Sequence, residues 1–325
     1  MFPTLRIVQL QRLAPRWSTA NPSKRLKSNR SAGSSYACRG CQGASAFCLG
    51  MIYFYGEKII KSDYKFGVNR MLHQFSRNEL AIGKEGLNIM KNSTVAVLGI
   101  GGVGSFAAEA LARSGVGRLI LIDKDDVDIT NINRQLIALL STVGRPKVEI
   151  MEERIKDINP DCEVISLKMF YTEETYEEIF SHKLDFVVDA SDTIVYKIHL
   201  MKECLKRNIP IISSMGAANK MDPTRFQIAD ISKTHTDPIA KVIRTRLRKE
   251  RIHKGIPVVF SDESPIVIRE DIKKEVGNEN APIRKAQMPP ASNAFVPSAA
   301  GLIMASYVVR QLLKDIKIQR VADEK

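Results

Sequence analysis

Short β-branched runs alternate with helix-length amphipathic stretches after residue 92, and this alternation constrains the fold of the 325-residue chain more than any other feature. Five of the runs predict strands, at residues 94–99, 118–123, 162–167, 186–191 and 210–215. Strands that are joined through helices run parallel to one another. The sequence therefore predicts an α/β fold, with a doubly wound, Rossmann-like and mostly parallel sheet.

The pattern changes after Met215. Two further runs predict strands at residues 225–232 and 256–263, with a helix at 237–254 between them, and a Pro- and Asn-rich connection precedes a last helix. That helix is predicted from Ser298 to Asp315, opened by Pro297. We expect one domain over residues 69–325, in which residues 217–325 elaborate the sheet built by residues 69–216.

Residues 1–68 are expected to form a leader outside this fold. Eight of the 49 basic residues and none of the 36 acidic ones lie in residues 1–56, so the rest of the chain carries a net charge of only +5 out of +13. An Arg- and Ser-rich, acid-free segment is typical of an organellar transit peptide. A translated upstream extension without a role is the alternative. The protein is expected in the cytoplasm, or in mitochondria if the leader is a transit peptide.

The five cysteines exclude a disulfide framework. Cys38, Cys41 and Cys48 lie in the leader, where one C-x-x-C pair is half of a zinc site, and the rest of the chain has only Cys162 and Cys204. Both are expected to be buried packing residues, in a reducing compartment.

The apolar run at residues 299–309 is about half of the roughly 20 residues that span a bilayer. We therefore expect a buried helix there and no contact with a membrane.

A glycine-rich turn, GIGGVGS at residues 99–105, follows the first predicted strand and opens the first helix. Glycines let the backbone approach a phosphate, and a helix N-terminus offers free N–H groups, so Gly99, Gly101, Gly102 and Gly104 are predicted to bind a nucleotide. Asp123, at the end of the second strand, is placed to hold ribose hydroxyls. Ribose is common to NAD and ATP, so this residue does not distinguish the two.

The residues that follow favour ATP. Asn131, Arg134 and Gln135 form an N-x-x-R-Q cluster, and Lys147 opens the next helix. A dehydrogenase leaves its pyrophosphate intact, whereas an adenylating enzyme must stabilise the charge of a departing pyrophosphate, and cations suit that task.

Two carboxylates, Asp189 and Asp192, follow the fourth strand. At the carboxyl end of a strand they are placed to hold Mg²⁺ on the phosphates, and Asp192 is our predicted metal ligand. The alternative is that Asp192 caps the next helix.

These residues resemble the ATP-dependent adenylating enzymes, which include the ubiquitin-activating type and the activators of sulfur carriers in molybdopterin and thiamine synthesis. Within that superfamily the chain is most similar to the tRNA threonylcarbamoyladenosine dehydratases. The resemblance extends over about three quarters of the chain and rests on the motifs MLHQFSRNELAIGKEGL, GIGGVGS, DVDITNINRQ, DASDT, the stretch at residues 213–249, FSDESP and NAFVPSAAG.

The resemblance implies that ATP adenylates the threonyl carboxylate of the modified adenosine next to the tRNA anticodon. An internal nucleophile of the same base then displaces AMP and closes a ring. The resemblance assigns the glycines of the turn to phosphate and adenosine, Asp123 to ribose and Asp192 to magnesium. It assigns four further residues to the triphosphate: Asn131, Arg134, Gln135 and Lys147. No enzyme nucleophile is needed. A sulfur-relay or redox partner is not identified by the sequence.

Two further implications concern partners. Arg77, in FSRNE, matches an arginine that in related enzymes reaches the γ-phosphate from the other subunit, which implies a homodimer. The helix at residues 239–254 places basic residues on one side of a helical projection, and these are the expected tRNA contacts: Lys241, Arg244, Arg248 and Arg251. Arg246 falls among the apolar positions, so we expect it buried against a carboxylate or directed into the active site. Residues 284–293 are a further candidate for the anticodon arm.

Three other functions are compatible with parts of the pattern. An activator of a ubiquitin-like or sulfur-carrier protein would use the same ATP site, but many such enzymes carry two C-x-x-C pairs and residues 69–325 contain none. An NAD(P) oxidoreductase does not account for Arg134, Lys147 and Asp192. A non-catalytic scaffold would keep a complete ATP site without using it.

Overall fold

The computed structural model describes residues 72–269, 271–272 and 289–320. These residues all belong to one compact unit, Ser62–Lys325. The predictions on the leader and on residues 284–288 fall outside the described residues.

Seven strands form one sheet in the order β3-β2-β1-β4-β5-β7-β6. All neighbouring pairs are parallel except β6 and β7, which are antiparallel. The strands are β1 Thr94–Leu98, β2 Arg118–Ile122, β3 Glu163–Leu167, β4 Phe186–Asp189, β5 Ile211–Ser214, β6 Phe226–Asp230 and β7 Pro257–Ser261. The predicted α/β class and mostly parallel sheet are confirmed, and the antiparallel edge strand belongs to the C-terminal half.

Helices cover both faces of the sheet. They are α1 Ser76–Asn92, α2 Gly104–Arg113, α3 Lys147–Ile158, α4 Tyr176–Phe180, α5 Ile194–Arg207, α6 Pro238–Lys249 and α7 Phe295–Leu312, with short 3₁₀ turns at Ile129–Asn131, Leu140–Thr142, Pro223–Arg225 and Ile231–Lys233. One apolar core unites the sheet with α1, α2, α3 and α7, and a second unites it with α4, α5 and α6. Because both faces are covered, the central strands read as continuous apolar runs.

The start of α2 lies unusually close to the end of β1. A Cβ on Gly104 would lie 1.7 Å from the Gly99 carbonyl oxygen, so only glycine fits there. Farther along α2, Ala107, Ala108, Leu111 and Ala112 are fully buried, and α2 packs along α7. These small side chains hold the glycine-rich turn at the carboxyl edge of the sheet.

The last helix begins three residues before its predicted start. The helix begins at Phe295 with Ala294 at its cap, and just before it the Asn293 side chain accepts a hydrogen bond from Val296 N at 2.9 Å. Among the described helices, α7 alone is long and apolar enough to cross a membrane by length and composition. Its residues Val296, Ala300, Met304 and Val308 are completely buried in the first core.

Candidate nucleotide site and basic helix

The site lies where the strand order reverses. β1 pairs with β2 on one side and with β4 on the other, and their last residues, Leu98, Ile122 and Asp189, are in register. The crevice outside the carboxyl ends of such strands is the usual ligand position in doubly wound sheets. The glycine-rich turn and the loop after β4 border this crevice.

The four predicted glycines have different roles. Gly99 has a φ of +87°, and a Cβ on it would lie 2.8 Å from the Ala190 carbonyl oxygen, so it lets the turn pack against the loop after β4. A Cβ on Gly102 would press on the Arg134 carbonyl and on Pro297, each at 3.3 Å. A Cβ on Gly101 would meet only Gln135 Nε2, at 3.9 Å. Gly101 therefore marks the open side of the turn, where a phosphate can approach the backbone.

Asp123 connects the turn to the segment after β2. Its Oδ2 accepts a hydrogen bond from Ile100 N at 2.7 Å, and its Oδ1 accepts one from Asp125 N at 2.9 Å. Burial raises the pKa of this carboxyl, although the nearby charge of Lys147 partly offsets the effect. The carboxylate is therefore fixed beside the turn, in the position predicted for a ribose ligand.

Lys147 is a buried cation at the start of α3. Only 6% of the residue is exposed, and its Nζ lies 3.3 Å from Asp125 Oδ2. A buried ammonium is costly unless an anion faces it. Asp125 and Asp123 supply that charge here, and the phosphates of a nucleotide would add to it.

The N-x-x-R-Q cluster begins in a 3₁₀ turn. Asn131 is buried, and its Oδ1 accepts a hydrogen bond from Asp128 N at 3.2 Å, which caps the turn. Gln135 is also buried, and its Oε1 has no hydrogen-bond partner in the described part of the chain. Because a buried amide oxygen without a partner is rare, this atom fits the binding of a ligand or water.

Arg134 is half-buried in the same cluster. Its Nη1 donates hydrogen bonds to the Thr130 carbonyl at 2.7 Å and to Asn133 Oδ1 at 3.0 Å. The Arg134 carbonyl and the Gln135 side chain thus lie beside Gly102 and Gly101, and Lys147 lies near Asp125 and Asp123. Together they can bind a polyphosphate and stabilise charge that develops on a leaving group.

The aspartate at the end of β4 and the aspartate in the loop after it differ in burial and in hydrogen bonding. Asp189 is fully buried: it pairs with Lys197 Nζ at 3.0 Å and accepts hydrogen bonds from the hydroxyls of Ser191 and Ser213. Its oxygens are therefore occupied, and the expectation that Asp189 helps to hold Mg²⁺ on the phosphates is wrong.

Asp192, by contrast, is exposed, and its charge acts on Lys124 at the end of β2. The helix cap alternative is not observed, because the residue at the cap of α5 is Thr193 and makes no side-chain cap hydrogen bond. Among the described residues, no group of three or more His, Cys, Asp and Glu side chains is arranged to hold a metal. One carboxylate together with phosphate oxygens is nevertheless a common Mg²⁺ environment, so the residues fit the ion.

Arg77 lies far from the crevice of its own chain. It is exposed on α1, whose first turns sit at the C-terminal end of α2: Asn78 Nδ2 donates to the Arg113 carbonyl at 2.9 Å, and the Phe75 ring covers Gly115. The glycine turn is at the other end of α2, about 15 Å away for a helix of this length. Within one chain the fold does not bring Arg77 to the nucleotide site.

The basic helix α6 starts at the same edge of the sheet as the crevice. Its cap residue, Asp237, accepts hydrogen bonds from Ala240 N and from Gly216 N, which follows β5. Lys241 and Arg248 are exposed, as predicted. Arg244 is half-buried and bonded to the Thr234 carbonyl at 2.9 Å, so it is less available than expected.

Two expectations on this helix are wrong. The helix ends at Lys249, and Arg251 lies beyond it with a φ of +63°, so the helical projection does not apply to that residue. Arg246 is exposed, with Val242 37% exposed beside it, so the expected burial against a carboxylate is wrong, whereas a position directed into the active site stays a prediction. The buried stripe consists of Ala240, Ile243 and Leu247 and is narrower than the projection assumed.

Sequence reasoning missed three polar residues that shape the site. Asp125 pairs with Lys147, Lys197 neutralises Asp189, and Asn133 holds Arg134. A lysine within the apolar periodicity of α5 was a usable signal for Lys197, because a buried lysine requires a partner. Asp125 and Asn133 stand among other polar residues and gave no such signal. Cys162 and Cys204 are buried, as predicted, and burial raises the pKa of Cys162 to about 11.

The pattern of the ThiF family matches residues 75–322. A tRNA threonylcarbamoyladenosine dehydratase from Bacillus subtilis (strain 168) is 80% identical over 254 residues, which cover 78% of this chain and 100% of the relative. The resemblance inferred from the motifs is therefore confirmed.

Two solved structures of the E. coli tRNA N6-threonylcarbamoyladenosine dehydratase share the fold. The complex with ATP has a TM-score of 0.66 at 33% identity and covers 74% of this chain and 94% of that one. The complex with AMP has a TM-score of 0.67 at 32% identity and covers 78% and 96%. The family match spans the sheet, the crevice and the basic helix together, and the chain belongs to the ThiF family.

Proposed function

We propose that this chain is a tRNA threonylcarbamoyladenosine dehydratase, which uses ATP to cyclise threonylcarbamoyladenosine in tRNA. The carboxylate of the threonyl group attacks the α-phosphorus of ATP, and pyrophosphate leaves. A nucleophile of the same modified base then attacks the activated carbonyl carbon and expels AMP. The base loses one water overall, and ATP becomes AMP and pyrophosphate.

One observation carries this proposal: a buried lysine and a half-buried arginine belong to the segments that border an open glycine turn. Lys147 and Arg134 would bind the triphosphate, and such cations stabilise the charge on departing pyrophosphate. Asp123 would hold the ribose, and Asn131 and Gln135 would complete the triphosphate pocket. The substrate follows from the relatives, which are named as dehydratases of this nucleoside in tRNA.

Magnesium belongs to the proposal as well. Asp192 would hold Mg²⁺ against the phosphates, where the ion would neutralise charge on the triphosphate. The exposed position of this carboxylate beside the crevice supports the role.

We infer a homodimer from Arg77. If this arginine contacts the γ-phosphate, it must come from a second copy, because it lies at the far end of α2 in its own chain. Two apolar side chains of α7 are exposed, Phe295 at 46% and Leu302 at 49%. A second copy covering this face would remove them from water.

The tRNA would lie along α6 at the edge of the crevice. Lys241 and Arg248 provide exposed positive charge there, and phosphate contacts of this kind dominate affinity for nucleic acids. We further propose that the protein acts in the cytoplasm and away from membranes. The burial of one face of α7 in the first core supports a position away from membranes.

The direct test is to incubate the protein with ATP, Mg²⁺ and tRNA that carries threonylcarbamoyladenosine. After digestion, mass spectrometry should find the modified nucleoside lighter by one water, with one AMP formed per nucleoside converted. AMP formation that requires a small carrier protein instead of tRNA would support the alternative, an activator of a ubiquitin-like or sulfur-carrier protein.

A further inference from the structure

The return segment at residues 289–293, which leads from the C-terminal connection into α7, is hydrogen-bonded to the nucleotide site. The Asn133 side chain makes the link: its Nδ2 donates to the Ser292 carbonyl at 3.0 Å, and its Oδ1 accepts from Arg134 Nη1 at 3.0 Å. The side-chain amide of Asn133 therefore bonds the return segment through its nitrogen and the Arg134 guanidinium through its oxygen.

The orientation of Arg134 depends on this amide. Both hydrogens of Nη1 are used, by Asn133 Oδ1 and by the Thr130 carbonyl, and neither Nε nor Nη2 has a hydrogen-bond partner among the described residues. These two nitrogens therefore have donor capacity left for a ligand. Without Asn133, one backbone carbonyl would remain to orient the group, and a guanidinium on a flexible stem loses affinity when it is not held.

The return segment is also hydrogen-bonded to Asn219. The Asn219 N–H donates to the Ala291 carbonyl and its Oδ1 accepts from Ala291 N, both at 2.8 Å, while its own carbonyl accepts from Ile266 N. Asn219 has a φ of +57°, a conformation that asparagine tolerates better than most residues. The two ends of the connection after β7 therefore meet on one residue of the loop after β5.

We propose that Asn133 and Asn219 are positioning residues for Arg134, and that the return segment orients this arginine toward the triphosphate through the two asparagines. The chain of contacts runs from Asn219 to Ala291, along the backbone to Ser292, and through Asn133 to the guanidinium. This inference rests on the proposed triphosphate role of Arg134 and extends it to the C-terminal half of the molecule.

The experiment measures binding of ATP and of AMP, without tRNA, by calorimetry on the full chain. Asn133→Ala should weaken ATP binding about tenfold, as expected for the loss of a hydrogen bond to a charged group, and should leave AMP binding within about twofold. AMP has no β- or γ-phosphate, so a general distortion of the pocket would weaken both nucleotides. Asn133→Asp keeps the acceptor for Arg134 but loses the donor to Ser292, and should give an intermediate loss.

Asn219→Gly tests the second link. Glycine keeps the backbone conformation and removes only the side-chain bond to Ala291, so ATP binding should weaken about threefold, the size of one neutral hydrogen bond. The double variant should bind no more weakly than Asn133→Ala alone, because the two residues act in series. Asn208→Gly is the matched control, since Asn208 has a similar φ of +55° at the end of α5.

Each outcome decides the inference. ATP binding that is unchanged in Asn133→Ala but weakened in Arg134→Ala would overturn the positioning role alone. ATP binding that is unchanged in Arg134→Ala would overturn the triphosphate role, and this inference with it. If Asn219→Gly behaves like Asn208→Gly, or if the two losses multiply in the double variant, Asn133 acts locally and the return segment has no part in it.

Discussion

Some charged residues of this protein are proposed to bind the nucleotide, whereas others stabilise the fold. Lys147 is buried with one carboxylate partner and Arg134 is half-buried with two neutral oxygen partners, whereas the buried Lys197 pairs with Asp189 and donates to the Ser191 carbonyl. Because Asp189 and Ser191 begin the loop that leads to Asp192, Lys197 holds the backbone on which the predicted magnesium ligand stands. Burial alone does not distinguish a ligand-binding cation from a structural one: Lys197 is structural because its partner, Asp189, is a carboxylate with no exposed surface.

Replacing Lys197 with methionine should destabilise the fold strongly. The Asp189 carboxylate would remain buried without its cation, which costs about 3–5 kcal/mol in measured cases. Chemical denaturation should show this loss, and adding Asp189→Asn to the variant should recover part of it. Lys202→Met is the matched control, since this half-buried residue of the same helix pairs with the exposed Glu250 and should cost about 1 kcal/mol or less. Equal losses in the two variants would contradict the structural role.

At the scale of elements, the strands and the phosphate turn could be predicted because period and glycine placement are local properties. The ends of helices were less predictable. α7 begins at Phe295, before Pro297, and α6 stops before Arg251 although the basic pattern continues. The exposure of Arg246 also depends on which face meets the second core, and periodicity does not determine that face when Val242 lies on the solvent side.

The exposed basic residues of α6 are expected to bind tRNA. Changing both Lys241 and Arg248 to glutamate should weaken tRNA binding and flatten its salt dependence, by about one unit of slope for each phosphate that the helix no longer neutralises. Filter binding over a range of salt concentrations measures both effects. Lys183→Glu is the control: this exposed lysine lies at the amino edge of the sheet and should have little effect. The same loss in the control would indicate a response to net charge rather than to position.

At the scale of the whole molecule, one chain does not complete the predicted site. The crevice residues come from loops that converge at the carboxyl edge, and their convergence could be predicted from the parallel topology. Contacts between distant segments, such as Asn133 with Ser292, depend on how the C-terminal half folds back and had no local signature. The position of Arg77 at the far end of α2 likewise became visible only in three dimensions, and it gives the homodimer proposal a geometric basis.

Mixing two inactive variants tests that dimer. Arg77→Ala and Lys147→Ala should each abolish turnover. Random exchange of their subunits should restore about one quarter of the wild-type activity, because half of the dimers would contain one intact site out of two. Steady-state AMP release measures the recovery. No recovery after demonstrated subunit exchange would mean that Arg77 does not act across the interface.

In the proposed reaction, ATP adenylates the carboxylate of the threonyl group. When that carboxylate carries a heavy-oxygen label, its oxygen forms the bond to the α-phosphorus and stays on AMP after ring closure. Mass spectrometry of the products should therefore find one labelled oxygen in AMP and none in pyrophosphate. Label in inorganic phosphate together with ADP, or unlabelled AMP, would contradict the account.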